Sequence, residues 1–291
     1  MKKCIFYTWL CLLFISCQKE NTYTVQANSK KLVIESYLTA GDTIKAFCLP
    51  AGRHFDYNID FNDTLTQLLL WADNQIIDTL FPTLRLPNMV NQSQPLYNFS
   101  SQTVAKQGAT YRLTALRDEL VPAASLESIP EAIVPQVNHH PESKKISLRI
   151  TDDASQENFY AIQFINQTID EEIVELLAYH PSVEVLYGNS DFIPDDEGTS
   201  GKLALISDRF FNGETQTFDF YYRPVSGSNT PIKLVLSALS KNYYQYELSK
   251  ASQYSISIDL LSEIGNLKGN IENGYGAFIG KSDYNYSFFP L

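Results

Sequence analysis

The parity of the apolar residues constrains this chain more than any other feature. In Lys145-Ile-Ser-Leu-Arg-Ile150, in Gly108 to Ala115 and in Thr215 to Tyr222, apolar and polar side chains alternate. Side chains of an extended strand point to opposite faces in turn, so the pattern fits a sheet with one face buried. It does not fit a helix of about 3.6 residues per turn. Ala40-Gly41-Asp42, Ala72-Asp73-Asn74 and Asn212-Gly213 supply turn residues that tolerate positive φ between such runs. The 18 tyrosines and 17 phenylalanines against 2 methionines favour the same β-rich reading.

Taken in order, Leu32 to Leu38, Thr43 to Leu49, Asp63 to Trp71, Gln75 to Leu80 and Gly108 to Ala115 read as strands. They predict an immunoglobulin-like β-sandwich over 31–121. Pro122, Pro130 and Pro135 then predict a stiff connector over 122–136, because proline withholds the N–H that strand pairing needs. A second β-sandwich-like domain is expected over 137–291, with strands at 145–150, 158–165, 203–206, 215–222 and 232–239. Thr168-Ile-Asp-Glu171 fits a capping box that opens a short helix through Leu177, with a strand as the alternative. Leu239, Tyr243, Tyr246 and Lys250 fall at helical spacing, as do Tyr244, Leu248 and Ala251, which predicts a helix near 240–252 capped by Ser240.

A leader precedes the first strand. Lys2 and Lys3 are followed by a mostly apolar run from Ile5 to Ile15, shorter than the ~20 residues that span a bilayer core. Phe14-Ile-Ser-Cys17 resembles a bacterial lipobox, which implies removal of residues 1–16 and acylation of Cys17 as the new N-terminus. Residues 17–30 then form a polar tether. Cys17-Gln-Lys-Glu20 resembles the start of surface-exported lipoproteins of Bacteroidetes-type outer membranes. The expected location is therefore the outer membrane, lipid-anchored, on the cell surface. Cys4 and Cys11 would leave with the leader. Cys48 is then the one cysteine left in the folded part, so no disulfide framework and no thiolate metal site is expected. A net charge of −11 argues against nucleic acid as a partner, since phosphate binding needs clustered Lys and Arg.

Candidate chemistry is sparse. His54, His139, His140 and His180 show no spacing that offers paired zinc ligands, and no Gly-x-Ser-x-Gly elbow occurs. Asp152-Asp153 and the group Asp191, Asp195, Asp196 and Glu197 gather carboxylates that calcium or glycoside hydrolysis could use, without the spacing of an EF-hand loop. Asp208, Arg209 and Asn212 surround a turn, and Tyr243 and Tyr244 open the predicted helix; these five are the candidate ligand or loop site. The plainer reading has Asp208 binding loop amides, Asn212-Gly213 making a hairpin and the tyrosines packing a helix on a sheet.

Several motifs in order resemble one family. They are Leu32-Val-Ile-Glu-Ser-Tyr-Leu-Thr39, Gly108-x-x-Tyr111-x-Leu113, Ser207-Asp208-x-x-Phe211-Asn-Gly213, Leu239-Ser240 through Tyr246, and Asn270-Ile271 to Gly280. The family is a set of Bacteroidetes outer-membrane lipoproteins filed under a domain of unknown function and often encoded beside TonB-dependent receptors. The resemblance implies a cell-envelope role, no cofactor and no catalytic residue. On it rests the expectation of a non-enzymatic accessory to a TonB-dependent uptake system. A stand-alone glycan- or peptide-binding lipoprotein is the second reading, and a carboxylate-based hydrolase the third. Asp42-Thr-Ile44, Asp63-Thr-Leu65 and Asp78-Thr-Leu80 also match the O-glycosylation pattern of such bacteria.

Overall fold

The structure, a computed structural model, describes residues 31–51, 65–83, 97–167, 172–188, 199–223, 230–256 and 267–290. Cys17, His54, Asp63-Thr64, the Thr168–Glu171 capping box and the acidic loop through Asp191, Asp195, Asp196 and Glu197 lie outside these residues.

The chain is mainly β, as its alternation predicts. The N-terminal half holds β1 (Leu32–Thr39), β2 (Thr43–Pro50), β3 (Gln67–Ala72), β4 (Gln75–Pro82), β5 (Phe99–Val104), β6 (Thr110–Leu116) and β7 (Ala123–Ser128). β1 alternates strictly between buried and half-buried positions, so Leu32, Ile34 and Leu38 enter the core. They meet Ile44 and Cys48 of β2, Leu68 and Leu70 of β3, Leu113 of β6 and Phe99 of β5. Asp73 and Asn74 both have positive φ and form the tight β3–β4 turn.

The C-terminal half holds β8 (Gln136–His140), β9 (Lys145–Thr151), β10 (Phe159–Asn166), β11 (Ile173–Val174), β12 (Leu176–Ala178) and β13 (Val183–Leu186). It continues through β14 (Thr199–Gly201), β15 (Leu203–Ser207), β16 (Thr215–Tyr222), β17 (Ile232–Leu239), helix α1 (Lys241–Ile256) and β18 (Gly274–Phe288). One layer runs β13-β15-β10-β17-β18 and the other β14-β12-β16-β9-β8. Ile146 and Leu148 of β9 and Phe218 and Phe220 of β16 face Ile162 and Phe164 of β10 and Leu234 of β17 across the core. Burying each such side chain contributes roughly 1.5–3 kcal/mol.

The last strand ties the halves together. β18 is 15 residues long. Its first part, from Gly274 to Lys281, runs parallel to β1, and its second part, from Lys281 to Phe288, runs antiparallel to β17. One hydrogen-bonded path thus leads from β7 through β6, β3, β4, β5, β2, β1, β18, β17, β10 and β15 to β13. At its N-terminal end the path rolls over, and Ala124 of β7 bridges Glu272 just ahead of β18. The N-terminal sandwich is therefore completed by β7 and by half of β18, and not by residues 31–121 alone.

Three local expectations change. Residues 122–136 are not all connector, since Ala123–Ser128 pairs with β6. Pro122 and Pro130 flank that strand, so neither removes an N–H from its ladder. Residues 173–178 take the strand alternative: Val174 pairs through β11 with β10, while Leu176 pairs through β12 with β16, and both side chains are buried. Asn212-Gly213 does form a turn, with Gly213 at φ +76°, but β15 and β16 belong to opposite layers. The turn is a corner between sheets and not a hairpin.

Ser240 caps α1, its Oγ accepting from the Tyr243 N–H at 3.2 Å. The helix covers the outer face of the large sheet. Tyr244 packs with Phe159, Leu205 and Leu239, and Tyr246 with Ala277 and Ile279 of β18. Among the described residues no helix is long and apolar enough to cross a membrane.

Candidate functional site

Asp208 begins a short 3-10 turn at the end of β15 and is 1% exposed. Its Oδ2 accepts from the Asn158 N–H at 2.6 Å, and its own N–H donates to the Asn158 carbonyl. Asp152, buried nearby, accepts from the Tyr160 hydroxyl at 2.6 Å and from the Gly213 N–H at 3.0 Å. Burial, with help from Asp152 and Glu157, raises the Asp208 pKa above the ordinary carboxylate range. These carboxylates hold the 152–158 and 208–213 loops against each other. Arg209 and Asn212 point elsewhere: both are exposed, and Arg209 lies over the ring of its neighbour Phe210 at 4.6 Å. The turn cluster therefore does not converge on one cavity.

The tyrosines of α1 are likewise engaged. Tyr244 is buried, stacks on Phe159 at 4.6 Å and donates to Glu184 Oε1 at 3.0 Å. Tyr246 donates to Glu35 Oε1, and Tyr187 donates to the buried Glu247. Tyr243 is half-buried and packs edge-on to Tyr37, and burial raises the pKa of both phenols. This is a layer of phenols and carboxylates between helix and sheet.

Beside it lies the point where β18 changes partners. Asn270 Nδ2 donates to the Phe278 carbonyl at 2.7 Å, and the Phe278 N–H donates to Asn270 Oδ1 at 2.8 Å. The side chain thus stands in for a missing strand. The Ser240 N–H donates to the Gly280 carbonyl, and Glu127 accepts from Asn242, Asn270 and the Ser128 N–H. Burial raises the Glu127 pKa. The Leu239-Ser240 and Asn270-to-Gly280 motifs are thereby explained as the joint between the halves.

His139 contacts the Tyr222 hydroxyl and His180 contacts Gln216, and burial lowers the pKa of both imidazoles. Among the described residues no group of His, Cys, Asp and Glu is placed to hold a metal ion. Thr43 is exposed at the start of β2, and Thr79 is half-buried within β4.

A site that motif reading missed lies on the outer face of the N-terminal half. Strand register aligns Ile76, Trp71, Arg112 and Leu126 in one row across β4, β3, β6 and β7. Their neighbours Leu70 and Leu113 are buried in the core, so by alternation the row faces outward. Ile76 is 51% and Leu126 63% exposed. A groove of about 550 Å³ takes in Trp71, Arg112 and Leu126 of this row, and Asp73, Asn74 and Glu272 complete its rim. Nε1 of Trp71 and Oγ1 of Thr114 are buried and have no hydrogen-bond partner among the described residues. The available signal was Trp71 itself, at the outward parity of a strand whose inward positions are Leu68 and Leu70.

No curated protein matches the chain. Among solved structures, the collagen-binding domain of the surface protein RspB from Erysipelothrix rhusiopathiae is aligned over 88% of this chain and 97% of that one. It shares 8% identity at a TM-score of 0.18, too low to bear on fold or function. A family model described as a domain of unknown function, DUF4249, matches residues 18–287.

Proposed function

We propose, from the premise that this chain belongs to the DUF4249 family, that it is a cell-envelope lipoprotein working by binding and not by catalysis. In this reading acylated Cys17 and the tether to residue 30 hold the folded part on the outer membrane, facing the cell exterior. There it serves a TonB-dependent receptor as an accessory in nutrient uptake. The observation that supports the non-catalytic part is the occupation of the buried carboxylates and the two strand-facing histidines among the described residues. Asp152, Asp208, Glu127 and Glu247 each accept hydrogen bonds that fix the fold, and His139 and His180 contact neighbouring side chains. A general acid or base must instead be free to reach a substrate proton. The leader and the family likeness support the envelope location and the receptor.

Affinity purification of the tagged, lipidated protein from detergent-solubilised outer membranes, followed by mass spectrometry, tests the role. Recovery of a TonB-dependent receptor in near-equal amount is the expected result. Recovery of the protein alone would overturn the accessory role. The open groove beside Trp71 favours a second reading, a stand-alone glycan- or peptide-binding lipoprotein, which would retain its ligand when the receptor is deleted.

A further inference from the structure

We propose that the groove lined by Trp71, Arg112 and Leu126 binds a saccharide. This rests on the reading of the chain as a binding protein, and it adds a position and a ligand class. The row offers two kinds of surface side by side. Trp71 and Leu126 supply aromatic and apolar surface on either side of Arg112, and Asp73, Asn74 and Glu272 complete the rim. No described residue hydrogen-bonds or pairs with the side chains of Asp73, Asn74, Arg112 or Glu272. Arg112 can only donate, the two carboxylates can only accept, and Asn74 does both. A hydroxyl both donates and accepts, so one ring of hydroxyls satisfies such a mixed rim. The C–H face of a pyranose suits the indole strip.

The unmet polar atoms point the same way. Trp71 Nε1 and Thr114 Oγ1 lie on the same outward face, for Thr114 shares the parity of Arg112 along β6. A small turn of the indole toward a bound hydroxyl gives the N–H a partner that no described residue supplies. Other ligand classes fit less well. A peptide that adds to a sheet needs unpaired backbone groups; β3 and β6 are each paired on both sides, and β7, at the end of the path, is bridged to Glu272 through Ala124 and bonded to the Asn270 carbonyl through Ser125. Nucleic acid would set phosphates against Asp73 and Glu272 on a chain of net charge −11.

The chain has 2 tryptophans, Trp9 and Trp71. In the lipidated chain, which in this reading begins at Cys17 and keeps Trp71 alone, emission in detergent therefore reports on the groove. This protein would be titrated with oligosaccharides of glucose, xylose, mannose and N-acetylglucosamine, with calorimetry in parallel. At least one of them should shift the Trp71 emission saturably. Trp71→Ala, followed by calorimetry, and Arg112→Ala, an exposed position, should each weaken binding by about tenfold or more, or about 1.4 kcal/mol. A panel that moves neither emission nor heat overturns the proposal, as does binding that both variants retain at parental affinity. Receptor recovery from membranes does not depend on this groove. A silent panel with the receptor recovered therefore removes the saccharide site and leaves the accessory role standing.

Discussion

The outer face of the C-terminal half and that of the N-terminal half treat polar side chains in opposite ways. On the first, α1 covers the sheet, and Tyr244, Tyr246 and Tyr187 each donate to a carboxylate. On the second, the row through Trp71 and Arg112 carries no covering helix, and an indole N–H and a threonine hydroxyl have no hydrogen-bond partner among the described residues. Side chains that look reactive in a sequence hold the fold where they meet each other. Those with no internal partner are the ones open to a ligand. The comparison assigns Asp208, Tyr243 and Tyr244 to the architecture and leaves Trp71 and Arg112 to the proposed saccharide site.

The largest expected effect lies at the joint both faces share. Gly276 sits at φ +99°, and a Cβ there would meet the Ile34 carbonyl oxygen of β1 at 2.1 Å. Gly276→Ala should therefore cost at least about 3 kcal/mol, or prevent folding, as measured by urea unfolding. Because β18 belongs to both halves, this variant should lower a single transition. Two separated transitions would break the picture of one continuous sheet.

Next comes Asn270→Ala, which leaves the Phe278 N–H and carbonyl without their side-chain partner. Two such losses should cost roughly 2–4 kcal/mol in the same assay. Tyr246→Phe, which removes one hydrogen bond to Glu35, should cost only about 1 kcal/mol. A neutral Tyr246→Phe would mean that the phenol layer under α1 is less committed to the fold than the comparison holds.

The smallest effect is pH dependence. His139 and His180 have lowered pKa values because burial disfavours the imidazolium. Below their ordinary value of about 6.5 the unfolded chain takes up protons that the native one resists, so stability falls as pH drops through that region. His180→Gln should flatten the slope of the urea midpoint between about pH 7 and pH 5. An unchanged slope would remove His180 from the account.

Much of the fold was legible because it is local. The runs at 215–222 and 232–239 coincide with β16 and β17, and the spacing of Tyr243, Tyr246 and Lys250 lies within α1. What was not legible depends on distant partners. No local pattern says that β18 will pair with β1 from the other end of the described chain, or that β15 and β16 will enter opposite layers. The prolines around β7 concealed a strand because they bound it without interrupting it. At the site, Asp208 was visible as a residue type, but whether its carboxylate was occupied depended on Asn158. Trp71 was visible only as the end of a strand until register placed it beside Arg112 on the outside.

The most direct test of the contrast is parallel urea unfolding of Asp208→Ala, Asp208→Asn and Arg112→Ala. Asp208→Ala should lose about 1–3 kcal/mol, because the Asn158 N–H is left without its acceptor. The raised pKa of Asp208 means that the protonation-dependent part of its contribution is present at low pH and lost as pH rises through the folded value, while the hydrogen bond from the Asn158 N–H remains. Asp208→Asn, which keeps an acceptor without the charge, should therefore match or exceed the parent at neutral pH. Arg112→Ala should stay within about 0.5 kcal/mol of the parent. A stable Asp208→Ala together with a destabilised Arg112→Ala would reverse the assignment of the two faces and contradict the account.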